Sequence, residues 1–110
     1  MKITEERIRF FAEVTGDFNP LHMDEMFAKK SRFGKRIAHG MLVASTISAK
    51  IAEEYPGAIY AAQDLIFLEP VFIGDEIHAV LTKLDERTVR TEAMRGDEVV
   101  ITGEAVVLWK

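Results

Sequence analysis

The hydrophobic positions of this chain change their period halfway along it. In the first half they recur at helical spacing. Ile8, Phe11 and Ala12 lie on one stripe of a helix that ends near Val14. Thr4 stands at its N-cap, Glu5 and Glu6 fill the first turn where the helix dipole favours acids, and Ile3 and Ile8 occupy the two positions of a hydrophobic staple. Gly16 stops the helix. Asp24 caps a short helix through Lys30, and Ser31-Arg32-Phe33-Gly34 reads as loop. From Ile37 to Tyr55 the pattern is helical but apolar nearly all round: Ile37, Ala38, Met41, Leu42, Val43, Ala44, Ile47, Ala49, Ile51 and Ala52 leave no broad polar face. A helix of this kind is expected to be buried. Its small residues, Ala44, Ser45, Ser48 and Ala49, allow neighbouring backbone to approach, and Pro56-Gly57 ends it.

Beyond Gly57 the pattern becomes that of strands. Ile59–Leu68, Glu76–Leu84, Thr88–Met94 and Val99–Trp109 are rich in β-branched and aromatic residues. Gly74-Asp75, Asp85-Glu86-Arg87 and Gly96-Asp97 mark the turns, and Glu69-Pro70 breaks or bulges the first strand near its end. Short turns between consecutive strands imply antiparallel neighbours. Helices followed by a strand meander make the chain α+β, and one buried helix wrapped by an antiparallel sheet is the simplest packing of these parts.

Composition narrows the function. With 110 residues, residues 1–110 are expected to form a single domain, long enough to bury a core without staples. No Cys is present, so disulfides and thiolate chemistry are excluded, which fits a reducing cytoplasm. No apolar run reaches the ~18 residues that span a bilayer, and no signal peptide opens the chain, so a membrane partner is not expected. The net charge of −4 argues against nucleic acid as a partner but leaves room for an anion on a local basic patch. Lys29, Lys30, Arg32, Lys35 and Arg36 form such a patch, either as a solvated face or as a landing site for phosphates.

The candidate chemistry is concentrated in Thr15-Gly16-Asp17-Phe18-Asn19-Pro20-Leu21-His22. The residue before proline is pushed out of the α region, so the Asn19-Pro20 step breaks a helix and lets Asp17 and His22 aim at one point. A carboxylate and an imidazole so aimed form a general acid–base pair. Asp17, His22, Asp24 and Glu25 include metal-ligand types, but their spacing fits no standard site, so no metal is expected. His78 falls in a strand of the other half and carries no assigned role.

The run from Phe11 to His22 resembles the hydratase-2 motif of MaoC-like dehydratases and (R)-specific enoyl-CoA hydratases. Ile37-Ala38-His39-Gly40-Met41-Leu42 resembles the family's His-Gly step at the start of its central helix. Pro70-Val71-Phe72-Ile73-Gly74-Asp75-Glu76 resembles its strand–turn segment, and Thr102-Gly103-Glu104-Ala105 its last strand. The resemblance implies a hot-dog fold, a long helix wrapped in an antiparallel sheet, dimeric or of higher order. Family members carry a strand before the first helix. This sequence opens at that helix, so the sheet is expected to be one strand short.

The resemblance also implies roles. Asp17 takes a proton from water and later returns it, His22 orients the water, and the Gly40 N–H faces the thioester oxygen. Asn19 braces the loop. Ser48 lies near the acyl pocket, where its hydroxyl bonds Asp17 or the substrate, or only the preceding helical turn. His39 is either a second base or a residue bonding the loop. Phe18, Met41 and Leu42 are expected to line the acyl pocket, and the basic patch to meet the phosphates of coenzyme A or an acidic acyl-carrier protein. No cofactor is expected, because coenzyme A is part of the substrate. The implied reaction is reversible hydration of a trans-2-enoyl thioester. The alternatives are a hot-dog acyl-CoA thioesterase and a non-catalytic acyl-CoA-binding module.

Overall fold

The computed structural model describes residues 1–109. Helix α1 (Glu5–Thr15) opens as its sequence dictates: the Thr4 side chain accepts the Arg7 N–H, and Gly16 closes it in the left-handed region at φ 82°. Two short helices follow, α2 (Pro20–Met23) and α3 (Glu25–Lys29), the latter capped by Asp24. The long helix α4 spans Gly40–Glu54. Five strands complete the chain: β1 (Ile59–Gln63), β2 (Ile66–Phe67), β3 (His78–Lys83), β4 (Thr88–Arg95) and β5 (Glu98–Leu108).

The strands form one antiparallel sheet in the order β1-β5-β4-β3, with β2 also paired to β5. The last three strands are the expected meander. β1 joins on the far side of β5 instead of beside β3, because the segment between β2 and β3 crosses from one edge of the sheet to the other. Helix α4 lies against this sheet and presses Val43, Ile47 and Ile51 onto Val89, Ala93, Ile101 and Val107. At about 25 cal/mol per Å² of apolar surface removed from water, this shared face is the main source of stability. The layout implied by the resemblance, a long helix against an antiparallel sheet, is therefore present.

Several sequence expectations are corrected. The helix expected from Ile37 starts only at Gly40. Ile37 pairs instead with Phe72 as an isolated antiparallel bridge, and the Ala38 N–H donates to the Val71 carbonyl at 2.7 Å. A short apolar run reads the same as helix or strand, so the boundary was invisible to periodicity. Nor is α4 buried all round. Leu42, Val43, Ala44, Ile47 and Ile51 face the core, whereas Met41, Ser45, Ser48, Ala49 and Ala52 are exposed.

The sheet also gains a short N-terminal pairing. Lys2 bridges Glu76, Ile3 N–H donates to the Asp75 carbonyl and Ile77 N–H to the Met1 carbonyl. Residues 1–3 thus supply a short counterpart of the strand expected to be lacking, and Ile3 is fully buried.

The first strand is broken at Asp64-Leu65 rather than at Glu69-Pro70. There Asp64 folds over β5: its N–H donates to the Glu104 carbonyl, and its carboxylate accepts the Glu104 N–H at 3.0 Å. Gly103 makes this possible, because a Cβ at that position would fall on the Asp64 carbonyl oxygen. Backbone cannot swing aside as a side chain can. Gly103→Ala is therefore expected to destabilise the fold by about 3 kcal/mol, the upper range for overpacking, read as a lowered thermal midpoint.

Candidate active site

Four successive local hydrogen bonds set the loop that carries Asp17. Gly16 N–H returns to the Ala12 carbonyl at 2.7 Å. Asp17 N–H donates to Thr15 Oγ1, and Asn19 N–H to Asp17 Oδ1, both at 3.2 Å. Asn19 Oδ1 in turn accepts the Leu21 N–H at 3.0 Å, so Asn19 is the N-cap of α2. Pro20 occupies the first helical position, where its missing N–H costs nothing. The Asn-Pro step therefore opens a helical turn, and His22 rides on that turn rather than in a loop.

A second segment fixes the imidazole. His22 Nδ1 lies 2.9 Å from the Ile37 carbonyl. A carbonyl only accepts, so Nδ1 carries the proton and Nε2 keeps a free lone pair. Ile37 N–H donates back to the Leu21 carbonyl at 3.3 Å, and Arg36 Nε donates to the His22 carbonyl at 2.6 Å. Arg36 is only 8% exposed and is paired at 2.7 Å with Glu5 of α1. The hydrogen bond from that guanidinium is the chief reason that the Glu5 carboxyl is held below its ordinary value.

His39 completes the group. It is the N-cap residue of α4, 1% exposed, and its Nε2–H donates to the Asp17 main-chain carbonyl at 3.0 Å. Its ring lies 4.2 Å from that of His22, tilted by 33°, with Phe11 at 4.9 Å. Burial pushes its pKa below the ordinary 6.5, against the opposing pull of the Asp17 carbonyl. Its Nδ1 is buried without a partner, which costs about 1–3 kcal/mol.

One ligating atom each from Asp17, His22 and His39 lie within 4.8 Å of one another. Two hydrogen-bond legs of ~2.8 Å meeting near the tetrahedral angle span about 4.5 Å, so groups this close can share a single water. The three residues are also of metal-ligand type, although one nitrogen of each imidazole already faces a main-chain carbonyl.

Asp17, His22 and Gly40 line a common cleft of about 580 Å³, closed by Phe67, Pro70 and Val71. Gly40 and Met41 begin α4, and the first return bond of the helix comes from Leu42, so the two N–H groups before it have no carbonyl behind them. A Cβ on Gly40 would stand 2.6 Å from the Phe67 ring, so glycine is what lets that ring close over the helix start.

Other sequence candidates are dispersed. Ser48 lines a separate groove of about 530 Å³ with Phe11, Met41, Ser45 and Tyr60, and it makes no hydrogen bond to Asp17. Helix geometry explains this: Ser48 is two turns beyond Gly40. Met41 lines both cavities. Leu42 points into the core, and Phe18 is 55% exposed and lines neither cavity. His39 lies beneath the cleft rather than on its wall.

The basic patch also divides. Arg32 lines the Asp17 cleft, Lys29 and Lys35 line a smaller hollow with Lys35 Nζ 4.4 Å from the Phe72 ring centroid, and Lys30 is exposed. Arg36 lines the same hollow but is 8% exposed, and its Nη1 and Nε are taken up by Glu5 and the His22 carbonyl, so it braces α1 against the His22 turn. Sequence reading missed that brace, the Ile37 carbonyl and Phe67. The only available signal was Glu5 and Arg36 as opposite charges, which carry no information about pairing across 31 positions.

Comparison with known proteins matches this arrangement to one family. Residues 1–104 match the MaoC like domain. The 3-hydroxybutyryl-CoA dehydratase of Methylorubrum extorquens is 40% identical over 96% of this chain and 73% of its own length. The (R)-specific enoyl-CoA hydratase of Aeromonas caviae is 42% identical over 88% of this chain and 79% of its own. A solved structure of an (R)-hydratase from A. caviae, described as involved in PHA biosynthesis, superposes with a TM-score of 0.88 at 39% identity, covering all of this chain and 90% of that one. With its hot-dog arrangement of helix and antiparallel sheet, the chain belongs to the MaoC-like domain family.

Proposed function

We propose that this protein is a hydro-lyase that adds water reversibly to a trans-2-enoyl thioester, giving the (R)-3-hydroxyacyl thioester. One observation carries the reading. Asp17 and His22, with ligating atoms within 4.8 Å of one another, line the same cleft as the unpartnered N–H of Gly40.

The chemistry follows from these positions. A water donates one hydrogen to the Asp17 carboxylate and the other to His22 Nε2. As its oxygen bonds C3 of the substrate, its O–H bond breaks toward Asp17. The C2=C3 electron pair shifts to C2 and onto the thioester oxygen. Asp17 then returns the proton to C2, and the thioester stays whole. Positioned acid–base groups of this kind give roughly 10²–10⁴-fold in rate, and a donor aimed at the developing oxyanion about 3–4 kcal/mol. Gly40 N–H is that donor, at the positive end of the α4 dipole.

The groove beside Met41 and Ser48 suits the acyl chain, its walls being mostly apolar. Arg32, at the Asp17 cleft, and Lys29 and Lys35 beside it suit the phosphates of coenzyme A or of a carrier-protein arm.

We also infer a homodimer. β1 is a sheet edge with every residue from Ile59 to Ala62 exposed, and the neighbouring face of α4 exposes Met41 by 57%. An apolar edge of this kind is a template for a second copy.

Crotonyl-CoA is the test substrate. Loss of its enoyl absorbance without release of free thiol is expected, and Asp17→Asn is expected to slow it at least about 100-fold with an unchanged thermal midpoint. Thiol release would establish the thioesterase instead. No turnover of any enoyl thioester, with saturated acyl-CoA still bound, would establish the binding module. Sedimentation should give the mass of two copies, and Ile59→Lys, which sets a charge on the edge strand, should give the mass of one; a single-copy wild type overturns the dimer.

A further inference from the structure

His39 is not required by the acid–base pair, yet the structure commits a buried side chain to it. Its Nε2–H reaches no substrate-facing atom. It donates to the main-chain carbonyl of Asp17, 22 positions away, while its ring packs against that of His22 at 4.2 Å, tilted by 33°. The other nitrogen, Nδ1, is buried with no partner. A glutamine side chain also reaches such a carbonyl and a phenylalanine also fills such a space, so neither the bond nor the packing alone accounts for an imidazole. An imidazole bearing its proton on Nε2 does both.

We propose that His39 is a positioning residue for the hydration step: its Nε2–H fixes the Asp17 backbone and its ring packs against that of His22. This rests on the proposed hydratase reading.

Its surroundings argue for the neutral form. The groups facing His39 are His22 from α2, the Asp17 carboxylate and carbonyl from the loop, and the Arg36 guanidinium from the segment before α4, with Glu5 of α1 taking up Arg36; Phe11 of α1 carries no charge. A proton on Nδ1 would meet no acceptor and would add a positive charge in a buried position near Arg36. Burial disfavours that charge further. The consequence is a division of labour between the two stacked rings. His22 orients the water, and His39 holds the Asp17 loop. If both rings were charged at once they would repel across 4.2 Å, so a fixed neutral partner keeps the His22 ring seated whatever its own protonation state.

Two variants separate the bond from the packing. His39→Phe keeps a ring against His22 but frees the Asp17 carbonyl. It should lower kcat by roughly 10- to 100-fold with KM changed less than about twofold, because the misaimed carboxylate matters in the transition state and not in substrate binding. His39→Gln, whose amide N–H stands near where Nε2 stood, should recover most of that loss and should leave the acid limb of the kcat/KM profile where it is in wild type. Full activity in a folded Phe variant overturns the inference. So does a Gln variant that folds but is as slow as Phe, or one whose acid limb moves, since His39 would then itself be titrating. If the Phe variant does not fold, the Gln variant decides alone. A readout independent of turnover is the ¹⁵N spectrum of the imidazoles. His39 should show one protonated and one bare nitrogen, unchanged from about pH 5 to about pH 9. A titrating His39 overturns the inference, whereas a silent His39 in a protein that hydrates no enoyl thioester faults only the hydratase reading.

Discussion

Residues 36–39 form a strap, and the site depends on what that strap holds. Ile37 gives its carbonyl to His22 Nδ1 and takes the Leu21 carbonyl on its N–H, while Ala38 N–H is tied to Val71. His39 then reaches the Asp17 carbonyl and starts α4. Four consecutive residues thus link the acid loop, the imidazole turn, the sheet-side segment and the central helix. The bonds made by Ile37, Ala38 and His39 all have a main-chain partner, and the one long side chain, Arg36, is held at both Glu5 and the His22 carbonyl. Pre-organisation of this kind is what acid–base chemistry needs, because a displacement of about 1 Å is enough to lose most of a positioned group's benefit.

This arrangement carries a local cost. The two buried side-chain atoms without partners among the described residues, Arg36 Nη2 and His39 Nδ1, both belong to the strap. Elsewhere the polar interior is satisfied, as with Thr91, whose hydroxyl takes the Gln63 amide at 2.8 Å. Unsatisfied atoms gathered at one place indicate that local stability has been given up for a fixed arrangement. The core beneath α4 offsets that loss.

The same economy explains the exposed face of α4. The helix sets Val43, Ile47 and Ile51 into the sheet and leaves Met41, Ser45, Ser48 and Ala49 open beside the edge strand β1. Small residues there permit backbone to approach closely. That face carries few charges, which is why periodicity read the helix as buried.

The sequence alone determined most of the elements, their class and the turns that carry Asp17 and His22. Caps at Thr4, Asp24 and Gly16, the β-branched runs and the turns are local chemistry, and local chemistry is written in consecutive residues. Asp17, Asn19 and His22 were legible for the same reason: their geometry comes from three side-chain-to-backbone turns and a proline within eight positions. Tertiary structure decided the rest. It started the helix only at Gly40 because Ile37 found Phe72, sent Ser48 to another groove, tied Arg36 to Glu5, and set His39 against His22. Each of these is a contact between distant segments. Which tautomer His22 holds and whether a nearby arginine is free depend on carbonyls and carboxylates that arrive only when the chain closes on itself.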